Sequence, residues 1–266
     1  MKKDISLKTS VDILHQRKVC KLIEQIFIEL DNFIKPGITT DDINLFIEKI
    51  LAENKAASAL KGYRGFPKSV CTSVNNVAAH GIPSDYSIQK NDVVSVDLTV
   101  IIDGWYGDGA WTYIAGEGVP DRVRLVKAAW NTTMAGITAA KAGGRMGDIG
   151  YAIHQTAQKY GCTVLEDFVG HGIGTEFHEE PMVFNIGCRN AGIPIVPGMV
   201  ITIEPIVCLG KPETKILDDG WSIVTQDGSL CAQFEHTIAV FGHKTEILTL
   251  SEDVLTKASK SRNFYS

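Results

Sequence analysis

The sequence predicts an α/β (α+β) fold in which two similar halves share a central antiparallel sheet. Apolar residues recur at helical spacing in several segments, and β-branched residues alternate with others in shorter ones. The segments 91–97 and 198–204 align position for position, and a carboxylate, Asp97 or Glu204, closes the alternating strand in each. Two helical segments precede each of these strands. Coincidence between two ordinary strands is the alternative explanation of this repeat.

The repeat divides the chain into halves of about 1–120 and 121–266. No stretch rich in Pro, Ser or Gly separates the halves as a flexible linker would. A chain of 266 residues, of which 44% are hydrophobic, can bury a large core. We therefore expect a single domain over residues 1–266, built from two pseudo-symmetric halves.

The first half begins with two helices. Apolar residues at helical spacing predict a helix over about 10–33, and the Pro-Gly pair at 36–37 ends it. Thr39 or Thr40 caps a second helix, because a Thr hydroxyl accepts a hydrogen bond from the free backbone N–H groups at a helix start. The segment 62–67 contains Gly and aromatic residues and is expected to be a loop that forms a binding surface.

A hairpin follows these helices. The alternating strand over 93–100 precedes an Asp-Gly pair at 103–104, which is typical of a tight turn between antiparallel strands. This hairpin brings Asp97 close to Asp108 of the second strand. An ionised carboxylate among apolar residues is costly unless it is paired or bound to a metal, so both are candidates to bind one cation.

The second half repeats the order of helices and strands. Its helices are predicted over about 120–141 and 146–160, since Pro and Asp begin the first and Gly residues follow both. Strands are predicted over 163–165, 199–205 and 233–240, and a loop over 177–181; the Gly-rich segment 170–174 follows the first of these strands. The tail from Ser251 is polar and is expected to fray.

Composition excludes several classes of function. The net charge is −5 and no basic run occurs, which argues against DNA or an anionic membrane as the partner. No segment approaches the roughly 20 apolar residues that span a bilayer, and no signal peptide is apparent. The six cysteines have no regular spacing, a pattern typical of reduced, mostly buried thiols. We expect a soluble cytoplasmic enzyme.

Three further residues of metal-binding type join the aspartate pair. Glu204 and Glu235 lie inside strand patterns, and His171 lies between glycines that leave room for close approach to a ligand. The alternative for each residue alone is a Glu on a solvated strand face or an ordinary loop His. Five such residues in interior segments instead indicate one site.

The ligand set indicates hydrolytic chemistry. Four carboxylates carry about four negative charges, which two divalent cations would neutralise. Oxygen ligands with one imidazole favour Mn²⁺, Fe²⁺, Co²⁺ or Zn²⁺ over Ca²⁺ and do not decide among them. Two such metals roughly 3.5–4 Å apart can bridge a water, lower its pKa and stabilise a tetrahedral oxyanion.

The motifs together resemble those of type I methionine aminopeptidases of the bacterial kind, over essentially the whole chain. They are the segment Gly-His-Gly-Ile-Gly at 170–174, Asp97 eleven residues before Asp108, Ile-Glu-Pro at 203–205 and Glu-His-Thr at 235–237. The resemblance implies the pseudo-symmetric pita-bread fold, which agrees with the repeat described above.

The resemblance also implies a dinuclear metal site. Asp108 and Glu235 would bridge the two divalent ions, Asp97 would chelate one ion, and His171 and Glu204 would hold the other. Glu204 would also act as the proton shuttle for a bridging water or hydroxide that attacks the substrate. A monovalent cation held by backbone carbonyls is a further implied feature, and its carbonyls belong to Asn75, Val77 and Cys231.

Substrate contacts are implied by the same resemblance. His80 and His178 would contact the substrate amide and the tetrahedral intermediate. The slot for a methionine side chain would be lined by Tyr63, Phe66, Cys71, Phe177 and Trp221, and ordinary core packing of these aromatics is the alternative. The sequence departs from the usual family pattern at Leu60, Phe66, Gly109 and Ile206, and we expect these departures to reshape the wall of the pocket.

The resulting hypothesis is metal-dependent removal of the N-terminal methionine from nascent proteins whose second residue is small and uncharged. An aminopeptidase of other specificity, such as X-Pro, and a non-catalytic binding protein with the same fold are the alternatives. The resemblance suggests a monomer. The role suggests association with the ribosome, although no basic patch in the sequence supports it.

Overall fold

A computed structural model describes residues 4–251 and residue 254. The helices of this part are α1 Ser10–Phe33, α2 Thr40–Glu53, α3 Pro120–Ala139 and α4 Met146–Lys159. The strands of the first half are β1 Ala57–Ser58, β2 Cys71–Val74, β3 Val77–Ala79, β4 Val93–Ile102 and β5 Trp105–Ile114. The strands of the second half are β6 Thr163–Val164, β7 Gly170–Gly172, β8 Glu179–Val183, β9 Val200–Ile203, β10 Ile206–Cys208, β11 Thr214–Ile216, β12 Ile223–Thr225, β13 Cys231–Gln233, β14 Glu235–Val240 and β15 Thr245–Ile247.

The main sheet is antiparallel at every pairing. Its strand order is β1-β4-β5-β14-β9-β7-β8, with β2 also beside β4 and β15 also beside β14. The hairpin β4–β5 lies on one side of the centre and the pair β14–β9 on the other, so that β5 and β14 meet where the two halves join. Two helices precede the central strands in each half. The predicted arrangement of two αβ halves around an antiparallel sheet is confirmed.

The two faces of the sheet have different neighbours. Asp108 of β5 points to one face, and its neighbours Gly107 and Gly109 lie on the other, because successive residues of a strand alternate. A Cβ built at Gly107 would lie 3.0 Å from Val19 Cγ1, and one at Gly109 would lie 3.2 Å from Phe27 Cε2. Helix α1 therefore packs directly on the backbone of β5, on the face opposite Asp108.

Aromatic residues fill the core on the helical face of the sheet. Phe234 is fully buried, and its ring centroid lies 5.3 Å from Trp111 and 5.3 Å from Trp130 of α3, edge to face. Trp111 also contacts Phe27 of α1, with centroids 6.1 Å apart. Rings of this size dominate the apolar area buried in a core. Helices α1 and α3 thus cover one face and leave the other to the candidate site.

Helix boundaries follow the predicted signals closely. Helix α2 begins at Thr40 because Thr39 is the cap: its hydroxyl accepts from the Asp42 N–H at 3.0 Å, and the Asp42 carboxylate accepts from the Thr39 N–H at 2.7 Å. Helices α3 and α4 end two residues and one residue before the predicted ends.

Strand boundaries differ more from the prediction. The predicted strand over 199–205 is shortened to β9 and ends before Glu204; Pro205 cannot donate to a neighbouring strand, and β10 begins after it. The strand over 233–240 divides at Phe234, the segment 170–174 contains β7, and the predicted loop over 177–181 overlaps the start of β8.

The predicted polar tail and the predicted lack of a membrane-spanning segment can be compared with the structure only within the described residues. The polar tail predicted from Ser251 lies almost wholly outside the described residues. Among the helices that the structure describes, none is both long and apolar enough to cross a membrane.

Candidate active site

Carboxylates from both halves lie in a row across four neighbouring strands. The strand register places Asp97 opposite Ala110, and Ala110 opposite Glu235. The pairing of β14 with β9 brings Glu235 level with Glu204, which directly follows β9. Asp108 lies two residues from Ala110 and therefore points to the same face. The first half thus supplies two carboxylates and the second half supplies the other two.

His171 presents one ring nitrogen to this row. Its backbone N–H donates to Thr202 Oγ1 at 3.0 Å, and its Nδ1 donates to the Gly172 carbonyl at 2.9 Å. Because the carbonyl can only accept, the hydrogen lies on Nδ1 and the Nε2 lone pair is free. Nε2 lies 3.7 Å from Asp108 Oδ2 and 3.7 Å from Glu204 Oε1. Burial lowers the pKa of His171, which favours the neutral, ligand-competent ring.

Hydroxyl groups orient two of the carboxylates. Thr99 donates to Asp108 Oδ1 at 2.9 Å, and Thr202 donates to Glu204 Oε1 at 2.7 Å. Burial raises the pKa of Asp108 to about 6 despite the Thr99 hydrogen bond. Burial and the neighbouring Asp108 charge raise the pKa of Asp97, of Glu204 and of Glu235 well above their usual range. The row is therefore poised to gain protons or cations.

The donor set fits divalent cations. Ligand atoms of Asp108, His171 and Glu235 all lie within 4.8 Å of one another, and all three residues are buried. Glu235 Oε1 is buried and has no hydrogen-bond partner among the described residues, and a buried oxygen of this kind needs one. Asp97 and Glu204 flank this group. Carboxylate oxygens with one imidazole match borderline divalent metals.

All of the predicted site residues line one cavity of about 570 Å³. They are Tyr63, Phe66, Cys71, His80, Asp97, Asp108, His171, Phe177, His178, Glu204, Trp221 and Glu235. The structure thus brings together every residue that the sequence singled out for divalent metal or substrate. The particular role of each residue stays a prediction.

The cavity wall is largely aromatic. Phe66 meets Trp221 edge to face, with centroids 5.1 Å apart, and Tyr63 lies 5.0 Å from Phe177. Burial, with the nearby aspartates, raises the pKa of the Cys71 thiol, so Cys71 behaves here as a small apolar group. An apolar wall beside a row of carboxylates suits a ligand with an apolar side chain and a polar backbone next to it.

Two histidines project into this cavity. His80 adopts a left-handed backbone conformation (φ 54°), which is uncommon for a residue other than Gly and costs free energy. Gly81 allows the chain to approach β2 closely, since a Cβ there would collide with the Thr72 carbonyl. Burial lowers the pKa of His80 and lowers that of His178 to about 4. Both rings are therefore neutral near pH 7, and His178 Nδ1 lies 3.3 Å from the Tyr63 hydroxyl.

The four departures from the family pattern divide into two groups. Leu60 and Phe66 line the cavity, as expected. The expectation that Gly109 and Ile206 reshape the pocket wall is wrong. Gly109 faces α1 because it alternates with Asp108, and Ile206 is buried in a separate apolar cluster with Ala78.

Sequence reasoning missed the threonines that orient the carboxylates, and it also misread the glycines around His171. Thr99 and Thr202 each lie two residues from a predicted ligand, so strand alternation could have identified them. Gly170 and Gly172 were expected to allow approach to a ligand. A Cβ at either residue would instead collide with a backbone carbonyl of an adjacent strand. The glycines thus let β7 fit between its neighbours.

The monovalent cation site stays a prediction. The Cys231 N–H donates to the Asn75 carbonyl at 2.8 Å, so two of the three predicted contributors are adjacent. Asn75 also has a left-handed backbone conformation, with φ 56°. A carbonyl oxygen has a second lone pair, so this hydrogen bond leaves Asn75 able to bind a cation.

The sequence profile of metallopeptidase family M24 matches residues 15–241, well over half of the chain. The chain belongs to metallopeptidase family M24. The buried group of Asp108, His171 and Glu235 agrees with divalent metal binding in this family. An enzyme of the metallopeptidase class, as predicted from the carboxylate row, is confirmed.

Within family M24 the chain is similar over nearly its full length to methionine aminopeptidases. Methionine aminopeptidase A of Synechocystis sp. is 44% identical over 249 residues, which are 93% of this chain and 98% of that protein. The crystal structure of methionine aminopeptidase from Rickettsia prowazekii has a TM-score of 0.91 and 39% identity, and the match covers 93% of this chain and 100% of that chain. The pita-bread fold and the resemblance to bacterial methionine aminopeptidases are confirmed.

More distant M24 structures share the fold alone. Prolidase from Pyrococcus furiosus has a TM-score of 0.72 at 20% identity, and the match covers 92% of this chain and 66% of that chain. At this identity the likeness carries no information on specificity. The X-Pro alternative therefore gains no support from it.

Proposed function

We propose that this protein removes the N-terminal methionine from polypeptides, above all where the second residue is small and uncharged. The observation that carries the proposal is the row of Asp97, Asp108, Glu235 and Glu204, with His171, at the base of a cavity with an aromatic wall. The relatives named methionine aminopeptidase support the same activity.

The same row is proposed to hold two divalent cations, from among Mn, Fe, Co and Zn. Asp108 and Glu235 lie at the join of the two halves and would serve both ions. Asp97 would complete one side, and His171 and Glu204 the other. When bound, such cations lower the pKa of water and stabilise developing negative charge on a carbonyl oxygen.

Glu204 is proposed to move the proton in the reaction. Its Oε1 accepts from Thr202, and its Oε2 would take a proton from the attacking water and return it to the leaving amine. The raised pKa of Glu204 suits this task, since a general acid–base group works best near the ambient pH.

The histidines and the aromatic wall are proposed to bind the substrate. Neutral His80 and His178 can hydrogen-bond the scissile amide and the tetrahedral intermediate without adding charge. Phe177 and Trp221, with the other wall residues, would hold the methionine side chain, whose thioether packs well against aromatic edges.

The proposal is tested by chelation and metal replacement. The purified protein is stripped with a chelator, supplied separately with Mn²⁺, Co²⁺, Fe²⁺ or Zn²⁺, and assayed for methionine release from a Met-Gly-led peptide. Release restored by metal is the expected result. A folded protein that releases no methionine with any of the metals would contradict the proposal.

Specificity is tested by comparing peptides that begin Met-Ala, Leu-Ala and Ala-Pro. We expect fast cleavage of the first alone, because the aromatic wall suits the soft thioether of methionine. Preference for Ala-Pro would favour the X-Pro alternative instead. Failure to bind divalent metal in calorimetry would favour a non-catalytic binding protein.

Partners and location belong to the same proposal. The protein is proposed to be a cytoplasmic monomer that acts on nascent polypeptides, with residues 1–266 as one catalytic domain. The acidic charge of the chain argues against DNA or an anionic membrane as its partner. Contact with the ribosome follows from the role alone.

A further inference from the structure

We propose that Lys8 is a positioning residue, which holds the loop of Phe177 and His178 in place through a buried ion pair with Glu179. Lys8 Nζ and Glu179 Oε2 form a salt bridge, and their side chains are 4% and 10% exposed. Lysine is almost never buried unless it is paired, so such a pair marks a specific requirement. The readout below rests on the proposed function.

Glu179 joins this ion pair to the loop. Its Oε1 accepts from the Thr175 N–H at 3.0 Å and from the Glu176 N–H at 3.3 Å. One oxygen of the carboxylate thus closes the loop 175–179, and the other faces Lys8. Phe177 and His178 lie inside the closed segment, and both line the candidate active site.

Lys8 is itself held on both sides. Its backbone N–H donates to the Gly198 carbonyl at 2.7 Å, and its Nζ donates to the Ser6 carbonyl at 3.1 Å. The next residue, Thr9, caps α1. The backbone of Lys8 is therefore tied to the turn before β9 and adjoins the cap of α1, and the ammonium group is held by Ser6, so that Lys8 can anchor the loop.

Gly174 provides the space for the pair. A Cβ built at this residue would collide with Lys8 Cε and Glu179 Oε1. The Gly174 carbonyl accepts from the Tyr106 N–H at 2.8 Å, which fixes the loop from the β5 side. The ion pair therefore packs directly against the backbone of residue 174.

Removal of the ammonium group leaves a buried carboxylate without its cation, which is strongly unfavourable. The loop can relieve this by turning Glu179 toward water, and that movement would release the two N–H groups of the loop. Phe177 and His178 then shift from the positions that bind substrate. Misplacement by about 1 Å can cost roughly 10²-fold in rate.

The test compares Lys8→Met, just before α1, with Lys18→Met, a variant that breaks an exposed ion pair within α1. The Lys18 and Asp103 side chains are 60% and 67% exposed. For Lys8→Met we expect kcat/KM for a Met-Gly-led peptide to fall about 10- to 100-fold, with a raised KM in fully folded protein. Lys18→Met is expected to match the wild type.

Glu179→Gln and the double variant Lys8→Met/Glu179→Gln complete a double-mutant cycle, in which kcat/KM is measured for each enzyme. The glutamine carbonyl can still accept from the loop N–H groups and carries no buried charge, so the double variant should recover part of the activity that Lys8→Met loses. Should Lys8→Met fail to fold, Glu179→Gln alone must still raise KM.

Two outcomes would overturn the inference. One is a Lys8→Met enzyme whose kcat/KM equals that of Lys18→Met. The other is a Lys8→Met enzyme whose KM is unchanged and whose kcat falls only in proportion to the folded fraction. A wild-type chain that releases no methionine would instead reject the proposed function, so the two failures are distinguishable.

Discussion

Glu204 lies between the Thr202 hydroxyl and the His171 imidazole. Its carboxyl group could contribute as an oxygen ligand and as a carrier of the proton, and one substitution tests the second of these. Glu204→Gln keeps the volume of the side chain and an oxygen for Thr202, but it cannot exchange a proton. We expect methionine release to fall by at least about 10²-fold. The unfolding temperature should stay near that of the wild type.

Asp97→Asn tests metal binding alone in the same assay. Asp97 lies at the end of the row away from Glu204, and its proposed role is to hold a metal ion and not to transfer a proton. The exposed Glu213→Gln is a matched control for the change of charge. Undiminished release by either Glu204→Gln or Asp97→Asn would contradict the role proposed for that residue.

Asp108 gives the site a defined response to pH. Its folded pKa, raised to about 6, exceeds the usual value, so its contribution to stability is present at low pH and is lost as pH rises through about 6. Asp97, Glu204 and Glu235 shift in the same direction. A bound cation favours the ionised carboxylates and competes with their protons.

The stabilisation by added Mn²⁺ should therefore grow between about pH 5 and pH 7. The measurement is the unfolding temperature in chelator and in excess metal, at each pH and matched ionic strength. A metal-induced shift that is constant across this range would contradict the coupling between carboxylate protons and metal.

Single residues were predictable where their chemistry conflicted with their surroundings. Carboxylates in apolar strands are anomalous, and this anomaly, with the family motifs, led to all twelve predicted site residues. Lys8 and Glu179 carried no such signal, since they lie 171 residues apart and each is ordinary in its own segment. Only tertiary packing brings them together.

At the scale of elements, β5 depends on its glycines for contact with α1. Gly109→Thr would place a branched side chain against Phe27 and Ile23, whose atoms lie 3.2 Å and 3.3 Å from the position of a Cβ. We expect the free energy of unfolding to fall by about 1–3 kcal/mol, because overpacking strains a core.

Urea unfolding of Gly109→Thr, Phe27→Ala and the double variant measures this effect. Phe27→Ala removes the opposing ring, so the double variant should be more stable than the sum of the two losses predicts. Strict additivity would show that Phe27 is not what limits the space at residue 109.

Elements with strong local signals were predicted well. A threonine cap and Pro or Gly residues at helix ends placed the start of α2 and both ends of α1, α3 and α4 within two residues. Strands such as β7 and β8 were not predicted, because their pairing is decided by neighbouring strands and not by local alternation. Gly170 and Gly172 look like loop residues until the carbonyls packed against them are known.

At the scale of the whole molecule, the site exists only where the halves meet. Asp97 and Asp108 belong to the first half, and His171, Glu204 and Glu235 belong to the second. The sequence repeat predicted this sharing, since it placed one carboxylate at the end of an equivalent strand in each half. Binding of divalent metal should therefore stabilise the join as well as the site.

The row of carboxylates across β4, β5, β14 and β9 also bears on ancestry. Each half brings a pair of acidic side chains, and neither pair alone could neutralise and enclose two divalent ions. A protein with one such half would have to form a twofold-symmetric homodimer to assemble the centre, with β5 of one copy against β5 of the other. Duplication and fusion of that gene would preserve the centre while freeing the copies to differ, and His171, on one side only, is the kind of asymmetry that such freedom allows.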